Sequence, residues 1–480
     1  MQDPKAQQYF EAWAEREAVA EQMIPIIGHL YREFGVVVTI FDRSLVLRSP
    51  IDILKAHRFS RHFLAEELPV QFSWRIITLL STLELVPSRI DIGKLAAGYQ
   101  SQPADTNLDT HVRDSLAALS GTKPMEQDPR DLVLYGFGRI GRMLARILIE
   151  RSGGGDKWRL RAIVVQRDRP GDLQRRASLL RRDSVHGPFK GTILVDEEEN
   201  GLVLNGNLVR LLYADSPEGI DYTQFGISDA VVIDNTGVWR DRKGLGRHLE
   251  AKGVAKVILT APGEEDVPNI IYGVNNSDIH ADEKLLSAAS CTTNAIVPVL
   301  KVMDDRFEIQ QAHMDTCHSY TNDQNLIDNY HAKNRRGRAA PLNMVITETG
   351  AADAVAKALP QLKGKLSANA IRVPTPNVSL AILNMTLGSS TTVEEVNAYM
   401  RSMSLDSPLQ GQLDYTSSAE VVSSDFVGSL KTAIVDSGAT IVQGNSCVLY
   451  VWYDNEFGYA CQVVRIVQHV AGLELPSYPR

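Results

Sequence analysis

The sequence predicts an α/β protein in three parts: a mostly helical N-terminal module, a parallel sheet flanked by helices, and a second domain of α+β type. Three observations carry this reading. From Leu132 onward, short apolar strands alternate with helical stretches, the pattern of βαβ units. A glycine-rich turn, Gly136-Phe-Gly138-Arg-Ile-Gly141, joins the first strand to the helix after it. Before that strand, apolar residues recur at helical spacing, as in Phe10-Glu-Ala-Trp13-Ala-Glu-Arg-Glu-Ala-Val-Ala-Glu-Gln-Met23-Ile24.

The elements follow in order. Ile51–Leu64 and Phe72–Leu83 read as amphipathic helices, while the β-branched run Val36–Phe41 fits a short strand or a buried helix. Residues 100–106 and 122–129 have turn and linker composition. Leu132–Tyr135, Leu160–Val165, Ala230–Asp234 and Lys256–Thr260 are buried-strand candidates of the parallel sheet. Beyond Cys291, the alternating stretches Asn377–Met385 and Cys447–Trp452 belong to the second domain. The expected boundaries are 1–128 for the helical extension, 129–290 for the parallel-sheet domain completed by 455–480, and 291–454 for the second domain.

A chain of 480 residues exceeds one core, and its length suggests about three domains. Apolar residues make up 44% and charged residues 22%, ordinary globular values. No apolar run reaches the ~20 residues needed to span a bilayer. The net charge of −8 and pI near 5.8 argue against a protein that coats nucleic acid or an anionic membrane, although local basic clusters can still bind phosphate. The N-terminus has no apolar signal segment. The cysteines at 291, 317, 447 and 461 suit a reducing cytoplasm, and no metal-type pairing is expected.

In the glycine turn, Gly136 permits a tight bend, Gly138 lets a pyrophosphate approach the backbone, and Gly141 allows close helix–sheet packing. The helix that follows aims its N-terminus at the anion. These features predict a Rossmann dinucleotide-binding domain. Near the end of the next strand stands Val164-Val-Gln-Arg167-Asp168-Arg169. Asp168 can hold a ribose hydroxyl, and Arg167 or Arg169 can hold a 2′-phosphate, so NAD and NADP both stay open.

Cys291, in Ala289-Ser-Cys-Thr-Thr-Asn294, precedes a helical run from Ala295 to Met303. A cysteine at a helix N-terminus has its thiolate stabilised by the dipole and backbone N–H groups. His318, in the polar segment Met314–Gln324, can pair with a thiolate and relay protons.

Eight ordered segments from Leu132 to the C-terminus resemble the glyceraldehyde-3-phosphate dehydrogenase family: Gly136–Arg142, Asp183-Ser-Val-His-Gly187, Asn235-Thr-Gly-Val238, Ser290–Asn294, His318-Ser-Tyr-Thr321, Thr349-Gly-Ala-Ala352, Arg372–Val378 and Trp452-Tyr-Asp-Asn-Glu456. The resemblance implies a phosphorylating aldehyde dehydrogenase. It would oxidise D-glyceraldehyde 3-phosphate with NAD and/or NADP and inorganic phosphate to 1,3-bisphosphoglycerate, in glycolysis or gluconeogenesis. By that resemblance Cys291 is the nucleophile and His318 the general base. Thr321, Asp323 and Arg372 would hold the substrate phosphate, and Ser290, Thr292, Thr349 and Gly350 the inorganic phosphate. Asn455 would fix the nicotinamide carboxamide, with Arg139, Ile140, Thr236 and Gly237 touching the cofactor. A homotetramer is implied, with no nucleic acid or membrane partner.

The sequence departs from the family in three places. Ala295 stands where a second cysteine is common. Asn329 and Tyr330 stand where NAD-restricted members carry Leu-Pro, and that change, with the Arg-flanked Asp168, predicts that NADP is accepted. Residues 1–128 carry no motif of assigned function, and their histidines lack metal-ligand spacing. Erythrose-4-phosphate dehydrogenase is the alternative activity on the same fold. A catalytically silent relative would lack the thiol or the imidazole, and both are present.

Overall fold

The computed structural model describes residues 4–103, 105–119, 129–151, 158–166 and 170–479. Two compact units divide near Pro129, and the residues from Leu473 group with the first.

Helices predominate in the N-terminal unit: Pro4–Phe34, Pro50–Phe59, Val70–Leu80, Ile92–Gln100 and Leu108–Ser115. The run left open by periodicity is a strand, Val36–Ile40, which pairs parallel with Ser88–Asp91 and antiparallel with Arg43–Ser44. Val36, Val38 and Ile40 are fully buried there. The turn after this strand holds Phe41 and Asp42 at φ of 45° and 66°. Asp91 stabilises that turn. Its carboxylate accepts from the Phe41 and Asp42 amides at 2.9 and 2.8 Å, from Thr39 Oγ1 at 3.1 Å, and from the Lys94 amide at 3.0 Å as cap of the next helix. A buried carboxylate with this many donors is well satisfied.

The C-terminus corrects one boundary. Residues 455–480 were expected to complete the dinucleotide-binding domain. Helix Phe457–Val470 does pack on helix Arg139–Arg151, but Ser477–Tyr478 pairs parallel with Arg89–Ile90 of the N-terminal unit. The Arg89 amide donates to Pro476 at 2.8 Å, and Tyr478 enters that unit's core. A two-residue strand leaves no periodic trace, yet it covers an otherwise open sheet edge.

The second unit contains two sheets. One runs in spatial order Leu285–Ser287, Val254–Leu259, Ala230–Asp234, Arg130–Tyr135, Trp158–Val165, Asn207–Tyr213, Gly201–Leu204 and Ile193–Asp196. Its first six strands are parallel. Ala230–Asp234 is buried at every position, as expected for a strand covered on both faces. The other sheet is mixed, in the order Val345–Thr347, Leu366–Val373, Ile309–Ser319, Ser379–Leu387, Ser446–Tyr453, Ala433–Asp436 and Leu413–Thr416, with Ile441–Gln443 also on Ser446–Tyr453. Ser379–Leu387 buries every second residue, so one face meets the core and the other does not. Helix Cys291–Phe307 packs against this sheet and is buried on nearly all sides. Among the described residues, no helix is long and apolar enough to cross a membrane.

Removing residues 473–480 is expected to expose the sheet edge and Tyr478's packing site. Hydrogen exchange at the Arg89 amide should then accelerate, and the N-terminal unit should lose about 2 kcal/mol of stability in urea unfolding. Unchanged protection at Arg89 would contradict the pairing.

Candidate active site

The parallel sheet ends at Ser287, and the chain turns sharply into the helix that begins at Cys291. Ala289 makes the turn at φ +53°. Ser290 caps the helix, its Oγ accepting from the Thr293 amide at 3.0 Å. Cys291 therefore occupies the first helical position, where N–H groups are unpaired and the dipole favours negative charge. Opposing this, desolvation is the largest influence on the thiol and raises its pKa, while Arg372 and the hydrogen bonds from Thr292 lower it; the balance is upward. Cys291 as a whole is partly buried and packs against the core of its domain.

His318 lies near the end of strand Ile309–Ser319, beside Arg372 on strand Leu366–Val373. Its Nε2 is 3.4 Å from Cys291 Sγ. Two partners compete for Nδ1: the Ser319 carbonyl at 2.7 Å and Arg372 Nη1 at 2.6 Å. The carbonyl requires a hydrogen on Nδ1, which leaves the Nε2 lone pair facing the sulfur. The guanidinium requires the Nδ1 lone pair, which puts the hydrogen on Nε2 instead. Burial, and then Arg372, depress the imidazole's pKa to about 3. Thiol and imidazole are thus both held neutral in this arrangement.

Tyr453 ties helix Cys291–Phe307 to strand Ile309–Ser319. Its hydroxyl meets Thr292 Oγ1 at 3.0 Å and Thr316 Oγ1 at 2.7 Å. Asn455, two residues on, has Oδ1 accepting from Ser379 Oγ at 2.9 Å, and Ser379 Oγ accepts from the Ser319 amide at 3.1 Å. That leaves the amide nitrogen as the end of Asn455 able to donate elsewhere.

The glycine turn lies at the C-terminal end of Arg130–Tyr135, between strands Trp158–Val165 and Ala230–Asp234. Chain direction across the sheet reverses there, which opens a crevice for ligand. Gly136 has φ +95°. A Cβ on Gly141 would lie 2.5 Å from the Gly136 carbonyl oxygen, whereas one on Gly138 would meet nothing within 4 Å. Gly141 is thus needed for protein packing, and Gly138 faces space left free for a ligand. Thr236 and Gly237 flank the crevice, Thr236 Oγ1 bonding Asp234 at 2.7 Å and Gly237 at φ +64°. Ile140 sits in the first turn of the helix with its amide directed toward the crevice end. The Arg139 side chain is committed elsewhere: it pairs with Asp183 and with Glu456, its Nε donating to Glu456 Oε1 at 2.8 Å. His186 Nε2 also meets Glu456, at 3.0 Å. Asp168 and Arg169 fall outside the described residues.

The expected anion residues are only partly gathered. Arg372 stands at the thiol–imidazole pair, and Thr321 follows the His318 strand. Asp323 instead pairs with Arg336, whose Nε donates to Thr347 at 3.0 Å. Ser290 and Thr292 use their hydroxyls in the helix cap and the Tyr453 bridge. Thr349 Oγ1 accepts from the Ala351 amide at 3.2 Å, and a Cβ on Gly350 would meet nothing within 4 Å. Sequence reasoning passed over Arg336, Tyr453 and Ser379. Arg336 is buried and its charge reaches both His318 and Arg372; an arginine in a polar loop gives no advance sign of that.

These features define a dinucleotide-binding α/β protein with a cysteine–histidine pair. Residues 130–242 match the family domain "Glyceraldehyde 3-phosphate dehydrogenase, NAD binding domain", and residues 290–455 match "Glyceraldehyde 3-phosphate dehydrogenase, C-terminal domain". The chain belongs to the glyceraldehyde-3-phosphate dehydrogenase family. It is 57% identical over 461 residues to the glyceraldehyde-3-phosphate dehydrogenase-like protein of Pseudomonas aeruginosa (strain UCBPP-PA14), covering 95% of this chain and 100% of that one. It is 40% identical over 342 residues to glyceraldehyde-3-phosphate dehydrogenase 2 of Trichormus variabilis, covering 71% of this chain and 98% of that one. Against the chloroplastic glyceraldehyde-3-phosphate dehydrogenase A of Zea mays it is 40% identical over 334 residues, or 69% and 80% of the two chains. The first alignment is long enough to include most of the N-terminal unit.

Because the folded pKa of His318 lies below its ordinary value of 6.5, the unfolded chain binds the proton more readily between pH 6.5 and about 3. Stability from this group is therefore complete above pH 6.5 and lost as pH falls through that window. By pH 5 the loss should reach about 2 kcal/mol. Urea unfolding at pH 7.5 and pH 5 should show this much less pH dependence in His318→Gln than in the unaltered protein; equal slopes would refute it.

Proposed function

We propose that the protein is a phosphorylating glyceraldehyde-3-phosphate dehydrogenase, oxidising D-glyceraldehyde 3-phosphate to 1,3-bisphosphoglycerate with inorganic phosphate and NAD or NADP. The observation that carries the reading is the 3.4 Å approach of Cys291 Sγ to His318 Nε2 at the start of a capped helix, with Arg372 at the opposite nitrogen.

The residues divide the work as follows. His318 takes the thiol proton through Nε2 as Cys291 Sγ bonds to the aldehyde carbon, and the carbonyl oxygen of the resulting thiohemiacetal receives that proton. His318 next removes the hydroxyl proton while the carbon–hydrogen bond gives up its hydride, leaving a thioester on Cys291. The nicotinamide, when bound, supplies the hydride acceptor. Inorganic phosphate attacks the thioester carbonyl and expels the Cys291 thiolate, which regains its proton from the imidazolium. The helix N-terminus stabilises the thiolate at each release.

Arg372 links substrate arrival to activation. A substrate phosphate draws the guanidinium toward itself and away from His318 Nδ1. The Ser319 carbonyl then holds Nδ1–H alone, and the Nε2 lone pair faces the thiol as a base. The added negative charge also removes part of the penalty on imidazolium. Arg336 is suited to help neutralise the same phosphate once its pairing with Asp323 loosens. The open face of Gly138, the bend at Gly136 and the free amide nitrogen of Asn455 suit a dinucleotide diphosphate and a nicotinamide carboxamide. The exposed Leu326, Ile327, Tyr330, Leu342 and Met344 suit burial against further copies of the chain in a homotetramer.

Cys291→Ser should lower turnover by about a thousandfold or more while dinucleotide binding, read by fluorescence titration, is retained. Turnover should also require inorganic phosphate; undiminished turnover without it would favour a hydrolytic erythrose-4-phosphate dehydrogenase. Asn329 and Tyr330 leave no apolar wall against a 2′-phosphate, so NADP should be used. A preference for NAD of roughly a thousandfold or more in kcat/KM would defeat that expectation.

A further inference from the structure

Beside the dinucleotide crevice lies an ion pair closed to solvent. Asp234 ends strand Ala230–Asp234, His248 lies on helix Arg242–Glu250, and both side chains are fully buried. Asp234 Oδ2 meets His248 Nε2 at 3.1 Å. Its Oδ1 accepts from the Thr236 amide and from Thr236 Oγ1, each at 2.7 Å. We propose that His248 is a positioning residue for the dinucleotide, fixing through Asp234 the loop Thr236–Val238 that flanks the crevice. The inference rests on the reading of that crevice as a dinucleotide site.

The linkage runs through single atoms. Thr236 Oγ1, which donates to Asp234, accepts in turn from the Val238 amide at 3.2 Å. One carboxylate therefore braces both sides of Gly237, whose φ is +64°. Glycine brings no side chain to hold such a bend, so the bracing falls to its neighbours. The same loop backs onto the glycine turn. A Cβ on Gly136 would lie 3.2 Å from Thr236 Cγ2 and 3.3 Å from the Asn235 carbonyl carbon. Thr236 thus stands directly against the bend at Gly136, and its displacement would alter the space beside that bend.

His248 is what keeps the carboxylate in this orientation. Without it, Oδ2 would be a buried anionic oxygen that has lost its donor, which favours turning the carboxylate toward another donor or protonating it. Either change loosens the hold on Thr236. An ionised carboxylate only accepts, so the hydrogen of this contact sits on His248 Nε2. Nδ1 is buried and has no partner among the described residues, which leaves Asp234 as the contact that fixes the ring's polar edge. Packing fixes the rest: the ring meets Tyr135 edge-on at 4.7 Å between centroids and Trp239 at 5.8 Å. Tyr135 precedes the glycine turn and Trp239 follows Val238, so the imidazole is lodged between the two segments that border the crevice.

The test is calorimetric titration of the unliganded full chain with NAD and with NADP, together with hydrogen exchange in the free protein. His248→Leu removes the donor and should weaken dinucleotide binding about tenfold. The Thr236 and Val238 amides should then exchange faster, while the Val232 amide within the strand keeps its protection. His248→Gln places an amide donor near the position of Nε2 and should bind within about twofold of the unaltered chain. Asp234→Asn retains the side chain's size and should weaken binding as His248→Leu does, which keeps the test valid should the leucine variant fold poorly. Calorimetric stoichiometry reads the folded fraction in each case. In turnover, KM for the dinucleotide should rise while KM for the aldehyde stays level. Unaltered dinucleotide affinity in both His248→Leu and Asp234→Asn, or a glutamine variant as impaired as the leucine one, would overturn the assignment. An unaltered chain that binds neither dinucleotide would instead overturn the reading of the crevice, and this inference with it.

Discussion

Ala289 holds φ at +53°, a left-handed turn that costs a residue with a Cβ on the order of 1 kcal/mol, and groups from three segments enforce it. Ser287 Oγ accepts from the Ala289 amide at 2.9 Å. Tyr459, on the C-terminal helix, donates to the Ala289 carbonyl at 2.9 Å. Asn294, one turn into the next helix, donates to the Ala288 and Ser290 carbonyls at 2.8 and 2.9 Å. The turn lets the last strand of the parallel sheet pass directly into a buried helix with the thiol at its first position. Strands Leu285–Ser287 and Arg130–Tyr135 belong to the same parallel array, so the thiol and the glycine turn arise at the same sheet edge. One strained residue therefore sets the Cys291 thiol beyond the same ends of the parallel strands as the glycine turn.

A second, charged junction joins the start of the glycine-turn helix to the start of the C-terminal helix. Arg139 opens the glycine-turn helix, and its guanidinium spans Asp183 and Glu456, with His186 also on Glu456. Asp183 is held down to about 2 in pKa, with the His186 and Val185 amides and Arg139 outweighing the effect of its burial. Arg139 thus acts through this junction, and its neighbour-in-sequence backbone is what remains for a ligand.

The parts of this site that were legible in the sequence are those whose chemistry is local. The glycine spacing is dictated by one turn, and Cys291 stands out because the cap, the thiol and the helix are consecutive. The parts that were not legible depend on pairing between distant segments. Tyr453 acts because strand Ser446–Tyr453 reaches helix Cys291–Phe307 and strand Ile309–Ser319 through one hydroxyl. Ser379 matters because antiparallel pairing sets it beside Tyr453, within reach of Asn455. Asp323, a substrate-phosphate residue by resemblance alone, pairs with Arg336, thirteen residues on in the chain, which its local sequence does not announce. The strand Val36–Ile40 could not be told from a buried helix until Ser88–Asp91 supplied its partner, since a short apolar run fits both.

The neutral state of the thiol and imidazole follows from their burial. Desolvation disfavours both charged forms, lifting the thiol and lowering the imidazole, and the helix N-terminus alone does not reverse it. In a medium that screens charge poorly, however, any charge that does enter acts strongly. A phosphate set beside Arg372, as the proposed function requires, would change the field at His318 Nδ1 far more here than it would at an exposed surface. Under the proposed function, the crowding that pushes the Cys291 thiol's pKa up would thus also be what lets a phosphate at Arg372 govern its deprotonation. Reactivity under that proposed function would then depend on substrate placement, because a phosphate at Arg372 would relieve the opposition between the guanidinium and the imidazole.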